Sequence, residues 1–497
     1  MTSPSRAPSL AVRVPACKPE PFGGLAAGGS KAPPHSGPFR SITQKAAQRV
    51  LPLPHAGEGW GEGDAPRRLA IRGDLLDFIA TPVWGEVEPT AVRFRPDHWL
   101  LIEHGRIVGV QPEAPDASWA QQDHGGRLIL PGFIDTHVHM PQLDVIASYG
   151  TELLDWLNTY TFPAEARYAD PAHAQAGATL FVDALLAHGT TAAVVFATSH
   201  PTSVDAVFAA ARAHGMCMVS GKVLQDRHSP DGLRDDVRHA ERDCIDLIDR
   251  WHGVDRLAYA VTVRFAPTST PEQLAMAGAL CRADASLYMQ THVAENRAEV
   301  QWARELFPHA RSYLDIYARA GLLHPRSVLA HGIWIDDADR AALHESGAQI
   351  AHCPSSNLFL GSGLFDWRAA SASGVAVSLA TDVGGGTSLS MLRTMADAYK
   401  VQALAGQRLT AWCALHAATL GAAQALRLDD EIGSFDRGRS ADICIWDWAT
   451  GPVAQRRMAV ARSLHERAFA WMTMADDRNL VATYIAGELR YSRDAKQ

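Results

Sequence analysis

Between Phe133 and about Leu428 the chain alternates short, almost continuous apolar runs with longer amphipathic stretches. The runs are 133–139 "FIDTHVH", 190–197 "TTAAVVFA", 215–223 "GMCMVSGKV" and 257–265 "LAYAVTVRF". They continue with 287–295 "LYMQTHVAE", 327–335 "SVLAHGIWI", 348–355 "AQIAHCPS" and 376–383 "AVSLATDV". Runs apolar along most of their length read as strands buried on both faces, the pattern of a parallel sheet. The intervening stretches, such as "PEQLAMAGALCRADA" and "ENRAEVQWARELF", are long enough for helices. Eight such units over about 300 residues predict an α/β fold, a (β/α)8 TIM-type barrel over 130–429. A doubly wound open sheet is the structural rival, but no G-x-G-x-x-G follows its first strand.

The flanks have a shorter period. Alternating strands with turn signals fill Leu69 to Leu130, and the same texture returns in "GSFDRGRSADICIWDW" (433–448) and "VATYIAGELRYS" (481–492). Two distant β-rich segments predict a small composite β-sandwich domain built from 68–129 and 430–497. Residues 1–67 differ again: ten of the 28 prolines precede Gly57, and "PLPHAGEGWGEG" has no period. Such composition cannot bury enough apolar surface to offset chain entropy, so a disordered N-terminal extension is expected there, for instance from a misplaced start codon.

Composition narrows the class. With 47% hydrophobic and 20% charged residues the chain is globular. A net charge of −8 recommends neither nucleic acid nor an anionic membrane as partner. No apolar run approaches the roughly 20 residues of a membrane span, and no apolar stretch behind a basic start indicates a secretory signal. The seven cysteines are scattered and never form C-x-x-C, which suits free thiols in the cytoplasm.

Polar residues interrupt the strands in one systematic place. The first run ends with His137 and His139, which are two apart and therefore face the same way. Gln142 follows. The fourth run ends in Arg264-Phe265, and the fifth carries His292 and Glu295. The sixth carries His331 and the eighth Asp382. A lone histidine in a strand is usually a hydrogen-bonded core residue. Three histidine-bearing strands and a carboxylate-bearing one, all polar near the C-terminal end where such barrels carry chemistry, point instead to a metal site. Imidazoles with one carboxylate suit zinc or ferrous iron and not calcium or magnesium. A second metal would need a bridging lysine where the fourth strand has Arg264; the nearest lysine, Lys222, lies on the third, so a mononuclear site is expected.

The motifs "PGFIDTHVHMPQ", "THVAENRAEV", "VLAHGIWI", "HCPSSNLFLGSGLF" and "LATDVGGGTSLSML" resemble the amidohydrolase superfamily, and more narrowly its guanine deaminases. The superfamily likeness runs from about Leu69 to the C-terminus; the narrower one lies mainly on the barrel. It implies hydrolytic deamination of guanine to xanthine in purine catabolism, one Zn2+ per subunit with Fe2+ as the alternative, and a homodimer. By resemblance His137, His139, His292 and Asp382 bind the metal. Gln142, Arg264 and Phe265 hold the purine, with His139, His292, Glu295 and Asp382 also touching it. Glu295 shuttles protons, Asp382 takes the proton of the attacking water, and His331 orients that water. Val263 departs from the family's usual proline before the Arg-Phe pair, and "QDRHSPDG" (225–232) departs from its asparagine-proline version.

"GGGTSL" (384–389) lacks the G-K-[ST] of a phosphate loop and reads as a tight turn into a helix. His352-Cys353 is expected to wall the seventh loop, with Asn357 and Phe359 nearby for closure over the substrate; the H-x-E…P-C-x-x-C signature of the other deaminase fold is absent. The competing functions are an aminohydrolase acting on 8-oxoguanine, a triazine or a pterin, and a non-catalytic metal-binding scaffold.

Overall fold

The computed structural model describes residues 68–149 and 153–494, and the expected N-terminal extension lies outside them. Four strands come first: β1 (Arg68–Phe78), β2 (Val92–Glu103), β3 (Arg106–Gln111) and β4 (Ala120–Pro131). The barrel strands follow as β5 (Phe133–His139), β6 (Thr190–Phe196), β7 (Cys217–Gly221), the two-residue β8 (Val223–Leu224) and β9 (Leu257–Val263). Then come β10 (Tyr288–Val293), β11 (Ser327–His331), β12 (Gln349–His352) and β13 (Ala376–Leu379), and finally β14 (Ile443–Trp446), β15 (Leu480–Ile485) and β16 (Glu488–Ser492).

Each of the eight expected apolar runs contains one parallel strand, in the order β5-β6-β7-β9-β10-β11-β12-β13, with β8 against β9. The ends of this sheet meet through backbone bonds just beyond β13: Asp382 N–H donates to His137 O at 2.9 Å and His139 N–H to Val383 O at 2.8 Å. Small residues pack the interior, including Ala192, Ala258, Ala260, Ala330 and Ala351, with Ala422, Ala423 and Leu426 beneath. The outward faces carry the large apolar side chains against the helices.

The strands of the chain ends form one continuous seven-stranded sheet, order β16-β15-β14-β4-β1-β2-β3. Only β1 and β4 pair in parallel. Side chains from both halves of this sheet, such as Ile71 and Leu100 with Ile443 and Tyr484, enclose a common core. The expected sandwich is thus a single sheet sharing one interior. Two helices, Gly451–Ala459 and Leu464–Met474, separate β14 from β15 in a stretch where no helices were expected.

Candidate active site

The C-terminal strand ends converge on one cavity of about 450 Å³ lined by His139, Gln142, Arg264, Phe265, His292, Glu295, His331 and Asp382. His137 lies with them, fully buried. Two of these residues leave their strands through a left-handed backbone, His331 at φ +72° and Asp382 at φ +50°. Side chains with a Cβ seldom adopt that conformation, and it turns the chain abruptly out of the barrel at the mouth.

The nitrogens of three imidazoles crowd together. His139 Nε2 lies 3.2 Å from His137 Nε2 and 3.1 Å from His292 Nε2. Asp382 Oδ1 is 3.3 Å from both His137 Nε2 and His139 Nε2. Tetrahedral ligands at zinc's bond length of about 2.0–2.1 Å would be about 3.3 Å apart, so these four residues fit a single cation. Ligand atoms of His137, His292, His331 and Asp382 fall within 4.8 Å of one another, the one such group among the described residues. Lys222 is withdrawn from any bridging position by its buried pairing with Asp235.

Outer partners orient the rings. His292 Nδ1–H donates to Arg264 O at 2.6 Å, which leaves the Nε2 lone pair facing the cluster. His331 Nδ1–H donates to Asn357 Oδ1 at 2.9 Å, so its Nε2 looks towards Glu295 Oε2 at 3.5 Å and Asp382 Oδ2 at 3.7 Å. Burial lowers the basicity of His139 to a pKa of about 4, and burial beside the other imidazoles takes His292 well below its usual value. Both therefore stay neutral, the form that ligates a metal. Burial opposes ionisation of Asp382, yet hydrogen bonds with His137 and His139 hold its carboxyl well below the carboxylate range.

Glu295 has the opposite environment. Burial, reinforced by the Asp382 charge, raises its pKa to about 8. Ser362 Oγ–H donates to its Oε1 at 2.9 Å, and Glu299 Oε2 accepts from its backbone N–H at 2.9 Å. A neutral, fixed carboxylic acid beside an ionised one is the arrangement that assigns acid and base in hydrolytic sites.

Several expected placements change. Asn357 supports His331 and does not line the cavity, while Phe359 is 39% exposed and also lies outside it. Leu360 and Ser356 line the cavity from that loop. His352 does not wall the site either. It shares a face of β12 with Ile350, which belongs to the helix-side core, and packs its ring 4.9 Å from Phe365. The glycine run is a turn, as expected: a Cβ on Gly386 would stand 1.8 Å from Thr381 O.

The sequence reading missed the apolar residues Leu153, Trp156 and Leu157, which line the cavity from a helical stretch between Leu153 and Ala166, and Glu165 of the same stretch, which stands behind the lining residues Arg264 and Gln142. Glu165 Oε2 accepts from Arg264 Nη1 at 2.6 Å. An acid in "FPAEARY" has no period or motif to flag it, and only the fold brings it to Arg264.

Residues 128–490 match the model of the amidohydrolase family. Guanine deaminase of Escherichia coli K12 is 42% identical over 431 residues, 86% of this chain and 98% of that protein. The solved E. coli guanine deaminase superposes with a TM-score of 0.82 at 41% identity, covering 86% of this chain and 99% of the other. A Clostridium acetobutylicum guanine deaminase crystallised with guanine in its active site gives 0.77 at 25% identity, covering 85% and 100%.

Proposed function

The chain belongs to the amidohydrolase family, within it to the guanine deaminases, and on that premise we propose that it hydrolyses guanine to xanthine and ammonia. The observation that carries this reading is one cavity holding Glu295 as a neutral acid, Asp382 as an ionised base and the Arg264 guanidinium. His137, His139, His292 and Asp382 would hold a divalent cation, one zinc per subunit with ferrous iron as the alternative, since three imidazoles and a carboxylate suit both. Such a cation supplies Lewis acidity that lowers the pKa of a water from about 16 to about 7.

The chain's own groups do the rest. Asp382 accepts the proton of the attacking water while His331 Nε2 aims its oxygen at C2 of the ring. Glu295, protonated at neutral pH, delivers a proton to the ring nitrogen beside C2 and makes that carbon more electrophilic. The proton taken up by Asp382 then passes to the exocyclic amine, which leaves as ammonia while the new C2 hydroxyl returns its proton to Glu295 and becomes the xanthine carbonyl. Each placed acid or base contributes about 10²–10⁴-fold.

Arg264 reads the ring carbonyl with the N–H groups that Glu165 does not occupy, Gln142 meets the amide-like edge, and Phe265 offers a face for stacking. Adenine carries an amine in place of that carbonyl, so donor would face donor in a buried site. Among the described residues no helix is long and apolar enough to cross a membrane, and the six described cysteines are buried and free, which supports the cytoplasm. The reading extends to a homodimer, which light scattering tests. Ammonia release from guanine, 8-oxoguanine, adenine and ammeline tests the activity. Release chiefly from guanine is expected, and turnover of 8-oxoguanine without guanine would overturn the assignment.

A further inference from the structure

We propose that Glu165 is a positioning residue that sets the substrate-reading pair Arg264 and Gln142, and through them the selectivity for a ring carbonyl. The inference rests on guanine being the substrate. Glu165 is 1% exposed, and its two oxygens serve two different residues. Oε2 accepts from Arg264 Nη1 at 2.6 Å, and Oε1 accepts from Gln142 Nε2 at 3.2 Å. Those partners leave the barrel from different strands, Arg264 directly after β9 and Gln142 shortly after β5. One carboxylate therefore fixes the spacing between two groups that no backbone ladder holds together.

The same short helix holds the guanidinium a second way, since Arg264 Cζ lies 4.8 Å from the Phe162 ring centroid. Edge and face are both engaged. The fork is then left with a defined set of free N–H groups aimed into the cavity. The pairing also has an electrostatic reason. Arg264 is 3% exposed and lines the cavity that holds the cation-fitting cluster, and Glu165 is its ion-pair partner there. An arginine buried next to a second cation without that carboxylate would be poorly tolerated.

A merely structural ion pair would affect melting and leave selectivity alone, which decides the test. Guanine and 2,6-diaminopurine, which bears an amine in place of the carbonyl, are compared as substrates of wild type, Glu165→Gln and Glu165→Asp. In Glu165→Gln the KM for guanine should rise about ten- to a hundredfold, the range of a lost charge-assisted hydrogen bond, with kcat moving less. Its preference for guanine over diaminopurine should fall by a similar factor, with metal content unchanged. Glu165→Asp, which keeps the charge and retracts it by one methylene, should lie between the two, and it carries the test should the glutamine variant not fold. Wild type active on guanine with both variants keeping its KM and preference overturns the positioning role alone. A wild type inert on guanine removes the proposed function and this inference with it.

Discussion

Glu295 Oε2 stands 3.5 Å from His331 Nε2, so the acid that is neutral at pH 7 points at the imidazole proposed to aim the attacking water. Glu295→Gln keeps the shape and the Ser362 contact but cannot give up a proton. Turnover should fall about 10²–10⁴-fold with metal content near normal, read by ammonia release and elemental analysis. The pH profile follows from the same group. An acid with its pKa raised to about 8 is protonated below that pH and loses the transferable proton above it. The rate should hold from neutrality and decline through about pH 8, and a rate still rising at pH 9 would remove Glu295 from the donor role.

Arg264 is expected to bind rather than to transfer protons. Arg264→Ala deletes the carbonyl contact and leaves Glu165 as a buried carboxylate without its ion-pair partner. KM for guanine should increase by about tenfold or more, and discrimination against adenine should relax. Competition between the two purines measures it directly. Unchanged discrimination would return Arg264 to a purely structural pairing.

Removing the metal should cost stability as well as activity. His137, His139, His292 and Asp382 hold their donor atoms about as far apart as a bound cation requires. A cation present at a thousand times its Kd stabilises by about 4 kcal/mol. Chelation should therefore lower Tm by about 5 °C or more and abolish ammonia release, with one equivalent of zinc restoring both. Metal analysis of enzyme purified without added metal decides between zinc and iron.

What the sequence made legible follows from how local each signal is. The eight barrel strands were readable because burial on both faces leaves a continuous apolar run. His137 and His139 were readable because their spacing of two is a strand's own period. Glu165 was not readable, since its importance lies in meeting Arg264, 99 positions away. Asn357 and His352 were misread because a loop's direction, and the face a strand residue takes, depend on packing. His352 follows Ile350 to the helix side, a parity that the strand pattern already contained.

The helix-side position of His352 has a consequence for acid stability. The ring is fully buried, neither nitrogen has a hydrogen-bond partner, and Phe365 and Trp367 surround it. Burial, helped by nearby His331, pushes its pKa down to about 3. An unfolded chain takes up that proton near pH 6.5 while the folded one refuses it, so folding loses stability as pH falls from about 6.5 towards 3. His324 and His416, each held at about 4 by burial, act in the same direction. The wild-type Tm should fall across this range, and His352→Leu, a replacement of similar bulk without a titrating group, should fall less steeply. Both proteins are compared after metal removal, so that protonation of the cavity histidines does not enter as loss of metal. Parallel Tm curves from pH 7 to pH 4 would show that His352 gains a proton partner in the fold and contributes nothing to the acid limb.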